Sequence, residues 1–191
     1  MTTINRQVSA NNDDAHEAQD GSSFSRGGFQ VNGNSNSAVA SRYIMGHRFT
    51  NVTVPKGAAI LTAVIRIVCT TGAADDPNVD IHAEDRDNAD DFLSTANVWG
   101  RSRTAASVAW TAVGIGSGSY VTSPEIKTVI QEVVNRPGWA SGNALTILVK
   151  GKSDVNRTFN VEAHDASPSL TAKLDITYSV DKGRSYARAI L

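Results

Sequence analysis

Apolar and polar residues alternate along five stretches of the chain with the two-residue period of a half-buried β-strand. The strongest covers residues 59–70. Leu61, Ala63, Ile65, Ile67 and Cys69 share one face there, and Thr62, Val64, Arg66, Val68 and Thr70 share the other. The second face is only half polar, which predicts a strand partly covered on both sides. Residues 78–84 set Val79, Ile81 and Ala83 against Asp80, His82 and Glu84. Three later runs alternate as cleanly: Leu145, Ile147 and Val149; then Val155, Arg157, Phe159, Val161 and Ala163; then Leu170, Ala172, Leu174, Ile176 and Tyr178. Residues 44–54 are rich in β-branched and aromatic side chains and stop at Pro55-Lys56-Gly57, a turn whose proline presets φ and whose glycine permits positive φ. A further strand is predicted at 108–113. The polar first 43 residues predict loops with short strands at 6–10 and 28–32, and residues 92–99 predict a short helix.

One segment changes period. Ile126, Val129, Ile130, Val133 and Val134 recur at helical spacing. Ser123 is a suitable N-cap, Pro124 a suitable first residue, and Pro137-Gly138 a stop. The β-branched run has low helix propensity, so packing must hold this helix in place. Many short strands between turn signals, with this single interruption, predict an all-β fold: an antiparallel jelly-roll β-sandwich with one inserted α-helix at about 123–135. Residues 1–180 form its one domain and 181–191 a C-terminal tail.

The chain has 191 residues and a formal net charge of -1. That balance recruits neither nucleic acid nor an anionic membrane surface. The single cysteine, Cys69, lies within an apolar strand pattern, so no intramolecular disulfide forms and Cys69 reads as a small buried hydrophobe. The N-terminus lacks the basic and apolar regions of a signal peptide, and no window approaches the roughly 18 apolar residues of a membrane span.

Candidate chemistry is sparse. Asp80, Glu84, Asp85, Asp87, Asp90 and Asp91 form an acidic stretch. Hard oxygen ligands suit Ca²⁺, and Asp85, Asp87, Asp90 and Asp91 are the candidate set, although their spacing is not that of an EF-hand. A solvated loop is the competing reading, and no other cofactor is expected. Asp13, Asp14, Glu17 and Asp20 form a second cluster near His16, open to the same two readings. His82 and His164 fall on polar strand faces and read as solvent-exposed. There is no zinc spacing, nucleophile elbow or phosphate-binding loop. Of the three tryptophans, Trp110 and Trp139 read as core. Trp99, beside Arg101 and Arg103, is the candidate for an exposed sugar-stacking face. The tail carries Arg184, Tyr186, Arg188, Ile190 and Leu191, a mixture suited to docking on a neighbouring subunit.

Some phrases resemble a known family. Val54-Pro55-Lys56-Gly57-Ala58-Ala59-Ile60 followed by Ala63, the run from Ile130 to Trp139, Ser141-Gly142-Asn143-Ala144-Leu145, and the closing run from Pro168 to Tyr178 are similar to DNRLRE-type β-sandwich domains. Those domains resemble carbohydrate-binding modules. The resemblance covers about residues 5–180 and implies a jelly-roll sandwich without catalytic chemistry. A lone, leaderless, disulfide-free form looks like a bacteriophage virion component, made in the host cytoplasm. The expected function is therefore a non-enzymatic capsid- or tail-attached decoration or adhesion module. Its partners would be other virion proteins, copies of itself or a host surface glycan, with no nucleic acid and no membrane. The alternative is a free-standing carbohydrate-binding module with structural calcium.

Overall fold

Alternating side chains require two surfaces to bury them, and the chain supplies two antiparallel sheets around a common core. A computed structural model of the chain describes residues 1–26, 31–32, 43–69, 78–92, 97–111, 118–152 and 160–180. Its elements are β1 (Thr2–Gln7), β2 (Asp14–Ala18), β3 (Phe24–Ser25), β4 (Val31–Asn32), β5 (Tyr43–Phe49), β6 (Ala59–Val68), β7 (Asn78–Ala83), β8 (Val108–Thr111), β9 (Tyr120–Thr122), α1 (Lys127–Val134), β10 (Leu145–Gly151), β11 (Asn160–Val161) and β12 (Lys173–Ser179). One sheet has the order β1-β12-β6-β9, the other β3-β2-β5-β10-β7-β8; β11 and β4 form a small separate pair. Ile4, Ile65, Leu174 and Ile176 from the first sheet meet Met45, Ile81, Ile147 and Val149 from the second in one hydrophobic core. The protein is thus an all-β, jelly-roll-like sandwich with one short helix.

The alternation of burial holds in β7 and β12; in β10 both faces are buried, Thr146 and Leu148 as well as Leu145, Ile147 and Val149. In β6 it breaks at one residue. Thr177 pairs with Thr62 and Tyr178 with Ile60, so Leu61 is the extra residue of a β-bulge. The bulge turns Ile60 inward, 7% exposed, and Leu61 outward, 38% exposed, reversing the face that strict alternation assigns to Leu61. Ile60→Ala is accordingly expected to lower stability by about 2 kcal/mol or more. Leu61→Ala should stay within about 0.5 kcal/mol. Equal losses in urea denaturation would contradict the bulge.

The helix is shorter than the span 123–135, and Ser123 does not cap it. The residue preceding its first turn is Ile126, with no side-chain cap. Where β9 ends, the backbone of β6 still needs partners, and the 123–126 segment provides them. Ser123 N–H donates to Ile65 O, and Ile65 N–H donates to Ser123 Oγ. Ile126 N–H donates to Ala63 O, and Ala63 N–H donates to Glu125 Oε1. The helical apolar stripe itself is buried as its spacing demands: Val129, Ile130, Val133 and Val134 join the common core. Gln131 holds the helix to the start of β6, accepting from Ile60 N–H and donating to Ala58 O.

Other boundaries also move. The first strand is Thr2–Gln7 rather than 6–10, and β5 ends at Phe49 because Asn51 takes a left-handed φ of 53°. Of 28–32, only Val31 and Asn32 are described, as β4. Phe92 and Asn97–Trp99 are not helical, and residues 93–96 lie outside the described set. Of the second acidic cluster, Asp14 and Glu17 lie in β2, all five residues of which are buried; Asp13 just before it is buried and Asp20 beyond it is exposed. Cys69 is buried as expected, and burial pushes its thiol up to about 11. Among the described residues, no helix is long and apolar enough to cross a membrane.

The outer face of the six-stranded sheet carries a cover. Phe92 and Val98 pack with Ala15, Ile44 and Leu148 into a second apolar cluster, with Phe24 and Trp99 at its margin. Phe92 lies so close over β5 that a Cβ at Gly46 would sit 2.2 Å from its ring. Only glycine leaves room for that ring, and this close approach sets the height of the loops above the sheet.

Candidate functional site

Above that second cluster the loops after β7 enclose a cavity of about 370 Å3. Glu84, Asp85, Arg86 and Asp90 line one side; Asn97, Gly100, Arg101 and Ser102 line the other. Two of the sequence's candidate sets therefore meet here, the acidic stretch and the segment around Arg101.

Arg101 organises the cavity wall. Its Nη1 donates to Glu84 Oε2 at 2.6 Å and to Asp90 O at 2.9 Å. Its Nη2 donates to Asp91 O at 2.8 Å, and its Nε to Asn97 O at 2.8 Å. Its guanidinium carbon stands 4.1 Å from the centroid of the Phe92 ring. One carboxylate and three carbonyls thus converge on a cation held over an aromatic face, the arrangement for which a planar guanidinium is suited. Both Arg101 and Glu84 are buried. Arg101 is therefore part of the wall and is not displayed on an open surface.

Asp85, Asp87 and Asp90 of the acidic stretch are also matched by arginines of the same chain, and Asp80 by Lys152 at 3.0 Å. Arg136 pairs with Asp85, and with Asp87 at 2.8 Å. Burial works to lower the proton affinity of Arg136, but its hydrogen bonds to Asp87 and Asp85 outweigh that and hold it above the ordinary arginine value. Asp90 pairs with Arg86 at 2.7 Å on the exposed rim. Asp91 contributes its carbonyl to Arg101. The positive charge the sequence sought for Asp85, Asp87 and Asp90 is present as protein side chains. Among the described residues, no group of three or more His, Cys, Asp or Glu side chains is arranged to hold a metal ion.

The second acidic cluster anchors the cover to the sheet. Glu17 Oε2 accepts from the N–H groups of Val98 and Trp99 at 2.7 and 2.6 Å. Asp13 pairs with Arg48 at 2.5 Å, and Arg48 Nε donates to Ala89 O. Trp99 is half-buried against the second apolar cluster, and Arg103 donates to Trp99 O at 2.9 Å. Trp110 and Trp139 are core residues, with the Trp139 indole donating to Val54 O. His82 is half-buried, with Nδ1 3.2 Å from Thr104 O; burial first, then the nearby cations, lower its proton affinity despite that hydrogen bond. His164 is half-buried with Nδ1 2.6 Å from Asn11 Oδ1. Neither is the fully exposed histidine its strand face suggests. The tail residues Arg184, Tyr186, Arg188, Ile190 and Leu191 lie outside the described residues.

Sequence reasoning passed over His47, which sits fully buried on the inner face of β5. A signal was present: His47 is in phase with Met45 and Phe49. In comparison with known proteins, the chain matches no family model and no curated protein.

Proposed function

We propose that this chain is a non-enzymatic structural module of a bacteriophage virion, attached to capsid or tail and acting through protein–protein contact. The observation that carries the non-enzymatic part is the allocation of charge around the cavity. Glu84, Asp85, Asp87 and Asp90 are each engaged by an arginine; Arg101 and Arg136 tie separate segments together, and Arg86 closes a pair within its own loop. A general acid or base needs a carboxylate that can reach a substrate with a proton affinity matched to its task. Carboxylates locked in pairs make a rigid surface instead. The virion setting rests on the DNRLRE-type resemblance together with a sandwich that has one cysteine and no disulfide. The tail, through Arg184, Tyr186, Arg188, Ile190 and Leu191, is assigned the docking of a neighbouring subunit.

One observation favours the second reading, a carbohydrate-binding module: the cavity is walled by polar groups, with Asn97, Ser102 and the outer carboxylates at its edge and Trp99 nearby. Light scattering on the full chain and on a version ending at Val180 separates the two. Assembly that is lost with the tail supports the virion module. If both versions are monomers and the full chain retains a glycan ligand that Trp99→Ala abolishes, the carbohydrate module replaces it.

A further inference from the structure

We infer that Asp14 and His47, opposed across the seam between β2 and β5, hold one proton between them, on the Asp14 carboxyl, and that this buried pair sets the pH range over which the seam stays closed. The inference does not rest on the virion reading.

The geometry comes first. Asp14 and His47 are direct partners in the β2–β5 register, so their side chains leave the sheet on the same face. That face is the inner one, because Met45 and Phe49 on either side of His47 belong to the common core. Asp14 is 1% exposed and His47 0%. Opposite residues of an antiparallel pair place their Cβ atoms about 5 Å apart, yet the two side chains form no hydrogen bond with each other. Asp14 Oδ1 and both ring nitrogens of His47 lack hydrogen-bond partners among the described residues. Buried polar atoms left in that condition cost about 1–3 kcal/mol each. A protonated carboxyl beside a neutral imidazole keeps both groups uncharged, which avoids the large cost of burying an unpaired charge.

The surroundings favour one proton in this pair. Desolvation raises Asp14 to about 7, helped by Asp165 and Asp13 and opposed by the His164 N–H that donates to Oδ2. Asp13 is itself paired with Arg48. Desolvation alone lowers His47 to about 4. From β10 the residue opposite His47 is Ile147, which brings no charge. The neighbouring titratable group on β2 is His16, also lowered by burial, with its ring 5.7 Å from that of Tyr43. Glu17 lies on the opposite face of β2, bonded to Val98 and Trp99.

Asp14, with its proton affinity raised by folding, contributes stability that is full below its ordinary value of 3.8 and is lost as pH rises through about 7. His47, with its affinity lowered, contributes stability that is full above 6.5 and is lost as pH falls through about 4. Between about 4 and 6.5 both folded and unfolded chains hold one proton on this pair, the folded chain on the carboxyl and the unfolded chain on the imidazole. The two dependences cancel there. As pH rises past 7 the pair loses its proton, and a buried carboxylate is left at the seam, held by the His164 N–H that donates to Oδ2.

The test is denaturant stability from pH 4 to 8 for the parent, Asp14→Asn and His47→Gln. Asp14→Asn should lose stability on acidification from pH 6.5 to 4. His47→Gln should lose it on raising pH from 4 to 7. Each slope approaches a tenfold change in the folding constant per pH unit, the value for one proton. Slopes of the same sign, or two profiles indistinguishable from the parent, would overturn the inference. Should a variant not fold, ¹⁵N-histidine NMR of the parent decides. His47 should stay neutral from pH 5 to 8, with its ring shifts responding only to the loss of the Asp14 proton as pH passes 7. Ordinary titration of His47 near 6.5 would sink it.

Discussion

Arg101→Leu is expected to lower folding stability by about 3–5 kcal/mol, the usual loss when one member of a buried ion pair is removed. The side chains of Arg101 and Glu84 are only 3% and 5% exposed, so water cannot take over the contact. The substitution leaves the Glu84 carboxylate and the carbonyls of Asp90, Asp91 and Asn97 without their donor. It also removes the cation from the Phe92 ring. The penalty comes from the groups left behind, so removing both charges should hurt less than the single change. In Arg101→Leu/Glu84→Leu the loss should be smaller than the sum of the two single losses, measured by urea denaturation at pH 7. A single-variant loss below about 1 kcal/mol, the range of solvent-exposed pairs, would show that water screens the cavity wall.

Phe92→Ala should cost about 3–5 kcal/mol, as large-to-small changes of buried aromatic residues do. Phe92 is 1% exposed and joins the loop cover to Ala15, Ile44 and Leu148 on the outer sheet face. Gly46 lies directly beneath its ring. Gly46→Ala alone should cost about 1–3 kcal/mol, because the added methyl drives the ring out of its place. In the Phe92→Ala background the same methyl meets no ring, and the Gly46→Ala penalty should vanish or reverse. Additive losses in this cycle would show that Phe92 and Gly46 are not packed as described.

The same two contacts show what could be read along the chain. Val79, Ile81 and Ala83 in β7 and Leu174, Ile176 and Tyr178 in β12 are buried because they alternate. Period-two burial is a local property of any strand with one covered face. The apolar stripe of α1 was legible for the corresponding reason at helical period. The start of α1 was not. Ser123 has the chemistry of a cap, but the hydrogen-bonding deficit it meets belongs to β6, 58 residues away. The bulge at Leu61 was equally hidden, since it exists only against β12.

Candidate chemistry was legible by residue type and illegible by partner. The acidic loop reads as a metal site because its carboxylates are close in sequence. The arginine that pairs with Asp85 and Asp87 is 51 and 49 residues away from them. The cluster around His16 likewise reads as one surface group. In β2 its members separate by face, Glu17 toward the loop cover and Asp14 toward the core, as alternation in a strand requires.

By itself the sequence determined the all-β sandwich class, the main strands, the helical stripe and the burial of Cys69, Trp110 and Trp139. Each follows from local periodicity or from an apolar setting that neighbouring residues define. Tertiary structure alone decided which arginine meets which carboxylate, which face Leu61 takes, and that Asp14 and His47 oppose each other inside the core. Register and loop closure set those pairings, and both depend on residues far apart along the chain.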